Sequence, residues 1–204
     1  MKILVIYYSM YGNTFELAKS VVEGAKSVEG AEVYLKTVPE LMPEEIIKSN
    51  DRIKHGKELQ KDIPFAQPSE MENYDAIIWG TPTRFGNMCS QVKNFIDQLG
   101  SLWIKGKLEN IVTGVFTSTS SIHGGQESTI LTSMIPLFHL GMIVVGVPYS
   151  VPELLTTESG GTPYGPSHVA GSNADKPVTE HEKNIGIAFG KRIAEITQKV
   201  IHVC

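Results

Sequence analysis

Residues 2–8 (KILVIYY) form an unbroken apolar run that stops at Ser9-Met10-Tyr11-Gly12-Asn13-Thr14, where a helical pattern begins. A strand that is apolar at every position is buried on both faces, so it calls for a sheet with a layer above and a layer below. Such a strand, feeding a hydroxyl-rich turn and then a helix, also makes an anion pocket. The turn offers Ser and Thr hydroxyls, and the first helical turn offers unpaired N–H groups and the positive end of its dipole. The turn holds neither Lys nor Arg, and the Gly-x-x-x-x-Gly-Lys-Ser/Thr signature is absent. This suits a phosphate that is held permanently and takes no part in chemistry. An ordinary helix cap would use the same residue types, so the turn alone leaves both readings open.

Apolar and amphipathic segments alternate along the rest of the chain. Strands are expected at residues 2–8, 32–38, 75–80, 110–116 and 142–147. Helices are expected at 14–28, 90–99, 127–140 and 180–200, with Pro136 expected to kink or interrupt the third. The alternation indicates an α/β doubly wound parallel sheet of five strands with helices on both faces. No Gly-x-Gly-x-x-Gly follows the first strand. That argues against the dinucleotide-binding version of the architecture and for the flavodoxin-like strand order 2-1-3-4-5. The 204 residues suit a single domain over 1–204. Two segments exceed what the sheet needs: 39–73, with a short helix expected within 41–60, and 150–178, rich in Gly, Pro, Ser and Thr. Loops of this length are usually functional or interfacial.

Composition narrows the partners. The chain is 41% hydrophobic and 20% charged with net charge -4, which argues against nucleic acid or an anionic membrane as main partner. No apolar stretch is long enough to span a bilayer, and the chain enters a core strand at once, so no signal peptide is expected. The two cysteines, Cys89 and Cys204, have no metal-type spacing, and no metal is expected. A reducing cytoplasm fits this usage, with Cys89 a small buried packing residue. His123, His168 and His181 read as polar surface residues.

In an open parallel sheet, ligands sit beyond the carboxyl ends of the strands near the reversal of strand order. Two further segments end there. After the third strand comes Gly80-Thr81-Pro82-Thr83-Arg84-Phe85-Gly86-Asn87-Met88. Pro82 stiffens this loop, Gly86 permits a tight bend, Arg84 brings a fork of donors, and Phe85 can pack on the edge of a flat heterocycle. After the fourth strand comes Thr117-Ser118-Thr119-Ser120-Ser121-Ile122-His123-Gly124-Gly125. This array of small donors can take a phosphate, ribityl hydroxyls or the pyrimidine edge of a flavin. Each loop alone reads as an ordinary turn. Three polar loops in register at one sheet edge point to a ligand.

Five segments carry a resemblance: YYSMYGNT at 7–14, GTPTRFGNM at 80–88, FTSTSSIHGGQE at 116–127, HLGM at 139–142 and GGTPYGPSHVAG at 160–171. Together they resemble the WrbA-type NAD(P)H:quinone oxidoreductases, flavodoxin-like FMN proteins. The resemblance implies noncovalent FMN, two-electron reduction by NADH or NADPH, and hydride passage to a quinone. It also implies a homotetramer whose active sites include residues from neighbouring subunits. Carried over by position, Ser9, Met10, Tyr11, Gly12, Asn13 and Thr14 would hold the FMN phosphate. Pro82, Thr83, Arg84, Phe85, Gly86 and Asn87 would line the isoalloxazine. Ser118, Thr119, Ser120, Ser121, His123 and Gly124 would reach the ribityl chain and the ring's pyrimidine end. His139 would be the flavin-contacting histidine, although Leu140 stands where some members carry a second His. Tyr11 would lie near the nicotinamide, and Trp103 would wall the substrate site. No side chain is assigned as catalytic, because the flavin N5 is the reactive centre. A ping-pong cycle is expected, with quinone entering where the nucleotide leaves. Residues 160–171 read equally as an interface loop or a lid. The competing class is a flavodoxin-like carrier of single electrons between proteins; the modest net charge and the extra loops weigh against it.

Overall fold

From Ile3 onward, successive side chains of the first strand, β1 (Lys2–Tyr7), enter opposite cores. Ile3, Val5 and Tyr7 join one buried cluster, Leu4 and Ile6 the other. Each fully buried side chain of this size contributes about 1.5–3 kcal/mol, which is why the run tolerates no polar residue. The computed structural model describes residues 1–201, and Cys204 lies outside them. The sheet continues with β2 (Glu32–Thr37), β3 (Ala76–Pro82), β4 (Val112–Thr119), β5 (Ile143–Val144) and β6 (Ser167–Val169). Its order is β2-β1-β3-β4-β5, all parallel, with β6 also paired to β4. This is the expected doubly wound, flavodoxin-like topology.

The helices are α1 (Asn13–Lys26), α2 (Glu44–Ser49), α3 (Asp51–Glu58), α4 (Ser90–Asp97), α5 (Gly100–Ile104), α6 (Gln126–His139), α7 (Glu153–Thr156) and α8 (Glu180–Ile201). Leu17 and Val21 of α1 and Ile185, Phe189 and Ile193 of α8 share the cluster of Ile3 and Val5. Val92, Phe95 and Ile96 of α4 and Ile130 and Leu137 of α6 share the cluster of Leu4 and Ile6. Both faces of the sheet are thereby covered. Among the described residues, no helix is long and apolar enough to cross a membrane.

The structure differs from the sequence expectations in five places. The segment 39–73 holds two α-helices, α2 and α3, rather than one. Pro136 does not interrupt α6; it lies in the last turn, where only one hydrogen bond is lost before the helix ends at His139. The fifth strand shrinks from 142–147 to Ile143–Val144. Past Val145 the chain leaves the sheet, and the Val147 N–H donates to the Pro163 carbonyl at 2.8 Å instead. The segment 150–178 fills the vacated edge with β6, which pairs Thr117 with Ser167, Ser118 with His168 and Thr119 with Val169. The chain passes against β4 at Gly165, where a Cβ would stand 2.0 Å from the Val115 carbonyl oxygen. Consequently β4 runs on to Thr119, and residues 117–119 are strand, not loop. The fifth difference is His168, fully buried rather than at the surface.

Candidate functional site

The first loop closes on itself before α1 begins. The Gly12 N–H donates to Ser9 Oγ at 3.1 Å, which leaves the Ser9 hydroxyl hydrogen free for an acceptor in the cleft. Gly12 sits at φ +96 as the N-cap of α1, a left-handed conformation that a side chain would strain. The first N–H groups of α1 then have no intrahelical acceptor. Ser9 and Thr14 are both buried, so their hydroxyls are fixed rather than solvated.

The second and third rims are locked to each other. Thr83 N–H donates to the Ser118 carbonyl at 2.9 Å, Thr117 Oγ1 donates to the Thr81 carbonyl at 2.7 Å, and Thr83 Oγ1 meets Thr129 Oγ1 at 2.7 Å. Arg84 and Asn87 exchange backbone hydrogen bonds at 2.8 and 3.1 Å. Between them Phe85 (φ 53) and Gly86 (φ 78) both take left-handed conformations. A bulky residue at positive φ is strained, and such strain persists where surrounding structure imposes it. Arg84 Nη1 donates to the Thr83 carbonyl at 2.8 Å, and Nη2 lies 3.8 Å from Met10 Sδ, bridging the first and second rims.

A cleft lies where these rims meet. It is lined by Ser9, Met10, Tyr11, Asn13, Thr14, Pro82, Thr83, Arg84, Ser118, Thr119 and Ser120, joined by Arg52 and by Ala170, Gly171, Ser172 and Ala174. Two guanidinium groups and no carboxylate face it, in a chain of net charge -4. Its hydroxyls, helix N-terminus and fixed positive charge form a donor set suited to a phosphate and a ribityl chain. The residues present therefore fit FMN.

Arg52 was not legible as a site residue. It comes from α3, in the segment that the sheet does not require. Its guanidinium lies 5.2 Å from the Tyr11 ring centroid, and its Nη2 donates to the Asn173 carbonyl. Asn13 Nδ2 donates to the Ala174 carbonyl at 3.2 Å, so the turn after β6 closes one wall of the cleft. That turn is anchored through Glu182, whose carboxylate accepts from Ser159 Oγ, the N–H groups of Gly160, Val169 and Thr179, and meets His168 Nδ1 at 2.9 Å. Burial works against its charge, but these donors outweigh it and hold its pKa down to about 2.

Other expected residues stand outside the cleft of their own chain. Gly12 shapes the loop without lining the cleft. Phe85 points fully into solvent, and Gly86 and Asn87 complete its turn without facing the cleft. Ser121 and His123 are exposed, and Gly124 donates its N–H to the Ser121 carbonyl at 3.1 Å. His139 is exposed at the end of α6 and lines a separate groove with Asn87, Lys93 and Ile135. Trp103 is more than half exposed on α5. Cys89 is buried, with burial pushing its thiol pKa up, and its N–H donates to Thr81 Oγ1 at 3.0 Å.

Residues 1–153 match the model of the family described as NADPH-dependent FMN reductase. The chain belongs to this family. Within it, the chain is 45% identical to an NAD(P)H dehydrogenase (quinone) of Aromatoleum aromaticum, over 98% of both sequences. It is 43% identical to the protein of the same name from Geotalea daltonii, again over 98% of both. Among solved structures it resembles a WrbA-like flavodoxin of Agrobacterium tumefaciens, with TM-score 0.66, 22% identity, and 97% and 98% of the two chains covered. It also resembles flavodoxin 1 of Bacillus cereus, with TM-score 0.56, 17% identity, and 96% and 98% covered. At these identities the structural likeness speaks for the fold.

Proposed function

We propose that the chain is an FMN-dependent NAD(P)H:quinone oxidoreductase. The observation that carries this reading is the cleft at the carboxyl edge of β1, β3 and β4, with two arginines, buried hydroxyls, a helix N-terminus and no carboxylate. The names of relatives matched over nearly the whole chain supply the reaction. FMN held in this cleft would supply the hydride-transfer chemistry between NADH or NADPH and a quinone.

The chain's own residues divide the work of holding it. Ser9, Met10, Tyr11, Asn13 and Thr14 take the phosphate, aided by Arg52. Pro82, Thr83 and Arg84 border the isoalloxazine, and Ser118, Thr119 and Ser120 take the ribityl chain. Arg84 brings fixed positive charge to the ring end, where each preorganised donor aimed at developing negative charge is worth about 2.7–4 kcal/mol. Tyr11 offers a flat wall to the nicotinamide.

The ring end is completed by a second copy of the chain. Leu131, Ile135 and Phe138 form an exposed apolar stripe along α6, and the turn carrying Phe85 is tied to that helix by Thr132 Oγ1 donating to the Gly86 carbonyl at 3.3 Å. An apolar stripe of this kind favours a protein partner. His139 and Trp103, outside their own cleft, would then act in a neighbour's, in a homotetramer. A cytoplasmic setting agrees with the free, buried Cys89.

The test is direct. Purified protein loaded with FMN is mixed with NADH or NADPH and benzoquinone under air. Prompt oxidation of the nucleotide that depends on the quinone is expected. Protein that holds FMN yet oxidises neither nucleotide overturns the reading.

A further inference from the structure

The polypeptide that holds the first loop from behind is not part of the sheet. Helix α3 docks there through Gly56, where a Cβ would stand 2.6 Å from the Met10 carbonyl oxygen and 2.6 Å from Tyr11 Cα. Only a glycine lets the helix backbone come so close, because the atoms it would strike are backbone and cannot swing aside. One turn on, Gln60 is 6% exposed. Its Nε2 donates to the Ser9 carbonyl at 3.0 Å and to the Gly56 carbonyl at 2.7 Å. Lys57 Nζ donates to the same Ser9 carbonyl at 3.3 Å.

A buried side-chain amide that ties the Ser9 carbonyl to the Gly56 carbonyl of α3 has a geometric consequence. The peptide joining Ser9 to Met10 is planar and trans, since the chain has no cis peptide bonds among the described residues. In a trans peptide the C=O and the following N–H point in opposite directions. Pulling the Ser9 carbonyl back onto α3 therefore turns the Met10 N–H forward, toward the cleft that Ser9 and Met10 line. Glu40 fixes the assembly: its carboxylate takes Lys57 Nζ at 2.6 Å, Tyr8 Oη at 2.7 Å and Gln91 Nε2 at 3.0 Å.

We infer that Gln60, with Gly56 and Lys57 beside it, is a positioning element that sets the orientation of the Ser9–Met10 peptide for an anionic phosphate in the cleft. It touches neither cofactor nor substrate. Its role is to preset a donor whose alignment would otherwise have to be fixed on binding, at a cost in backbone entropy. The inference rests on the reading that residues 9–14 hold the FMN phosphate.

The test uses the full-length protein stripped of flavin and titrated with FMN and with riboflavin, which differ by the phosphate alone, following the quenching of flavin fluorescence. Gln60→Leu removes the donor, and Gln60→Met removes it at similar length without adding charge. Both are expected to weaken FMN by about tenfold, from a lost hydrogen bond to a carbonyl and a misaligned donor to a charged group. Riboflavin affinity is expected to stay within about twofold. Gly56→Ala, acting by displacing the loop backbone, is expected to give the same loss of preference for FMN. A merely structural role would weaken both flavins together, and that result overturns the inference, as does unchanged affinity for both. Thr14→Val separates the two levels. If it leaves the FMN-to-riboflavin preference intact, the phosphate reading itself fails. If it lowers the preference and the Gln60 variants do not, only the inference about Gln60 fails.

Discussion

The two ends of the cleft are built differently. At the end we assign to the phosphate and ribityl chain, Ser9, Thr14, Ser118 and Thr119 are buried, and each belongs to or abuts a strand or helix terminus. At the ring end the rim is open. Phe85 is 106% exposed on a strained turn, and Ile135 and Phe138 stand out from α6. An anion is recognised by a few directed donors, which one loop and one helix terminus can supply. A flat ring and a flat substrate need broad apolar walls, and a single chain that exposes such walls leaves them for a second surface to cover.

The comparison can be broken at four points. The largest effect is expected where the closing wall is anchored. Glu182→Gln leaves five donors facing a neutral amide in a buried site, and is expected to cost about 3 kcal/mol of unfolding free energy, measured by urea denaturation. Glu182 has its pKa depressed in the folded state, so its contribution is fully present above about pH 4.5 and is lost as pH falls toward about 2. Wild type should lose stability across that window, and the variant should lose less. Equal slopes for the two proteins would show that the carboxylate is not the anchor.

Next comes the open end. Replacing Phe85 and Phe138 together by Glu is expected to shift the protein to smaller species in sedimentation and to cut quinone turnover by about a hundredfold, a typical loss for a pair of apolar anchors. FMN affinity should change little, because the residues proposed to hold the phosphate all line the cleft of one chain. A variant that stays assembled and active would remove the distinction between the ends.

A smaller effect is expected at Arg52. Arg52→Ala should weaken FMN by about tenfold, the loss of one charge-assisted contact, and should reduce the salt dependence of binding. Riboflavin affinity unchanged alongside weakened FMN would sharpen the assignment to the phosphate; equal loss of both would move Arg52 to another role. The smallest effect belongs to His123, expected in the cofactor set yet exposed. His123→Ala should leave FMN affinity within about twofold, the size of change typical of surface positions, measured in the same titration.

Much of this architecture is present in the linear pattern, and the reason is periodicity. Residues 2–8 could be read as a strand buried on both faces because the run from Ile3 to Tyr8 is six consecutive apolar residues, all of them buried. The strand order followed from alternation and the missing glycine signature, and the first loop from its hydroxyls and its glycine. What failed was reading strand ends. The hydroxyls of Thr117, Ser118 and Thr119 look like loop residues, but β6 arrives alongside and pairs them. Polar side chains are tolerated in a strand once a neighbour satisfies the backbone and the side chains find partners or a cleft: Thr117 donates to the Thr81 carbonyl, and Ser118 and Thr119 line the cleft.

The sequence by itself determined the doubly wound sheet, the edge at which a ligand must bind, and the chemistry of three loops, because these depend on local periodicity and on residues adjacent in the chain. Only the tertiary structure decided that Arg52 faces the cleft, that Gln60 holds the Ser9 carbonyl, that Glu182 gathers residues 159–179, and that His139 and Trp103 stand apart from their own site. Each of those facts joins segments far apart in sequence. Such contacts are chosen by burial and the pairing of polar groups in three dimensions, and leave no local signature.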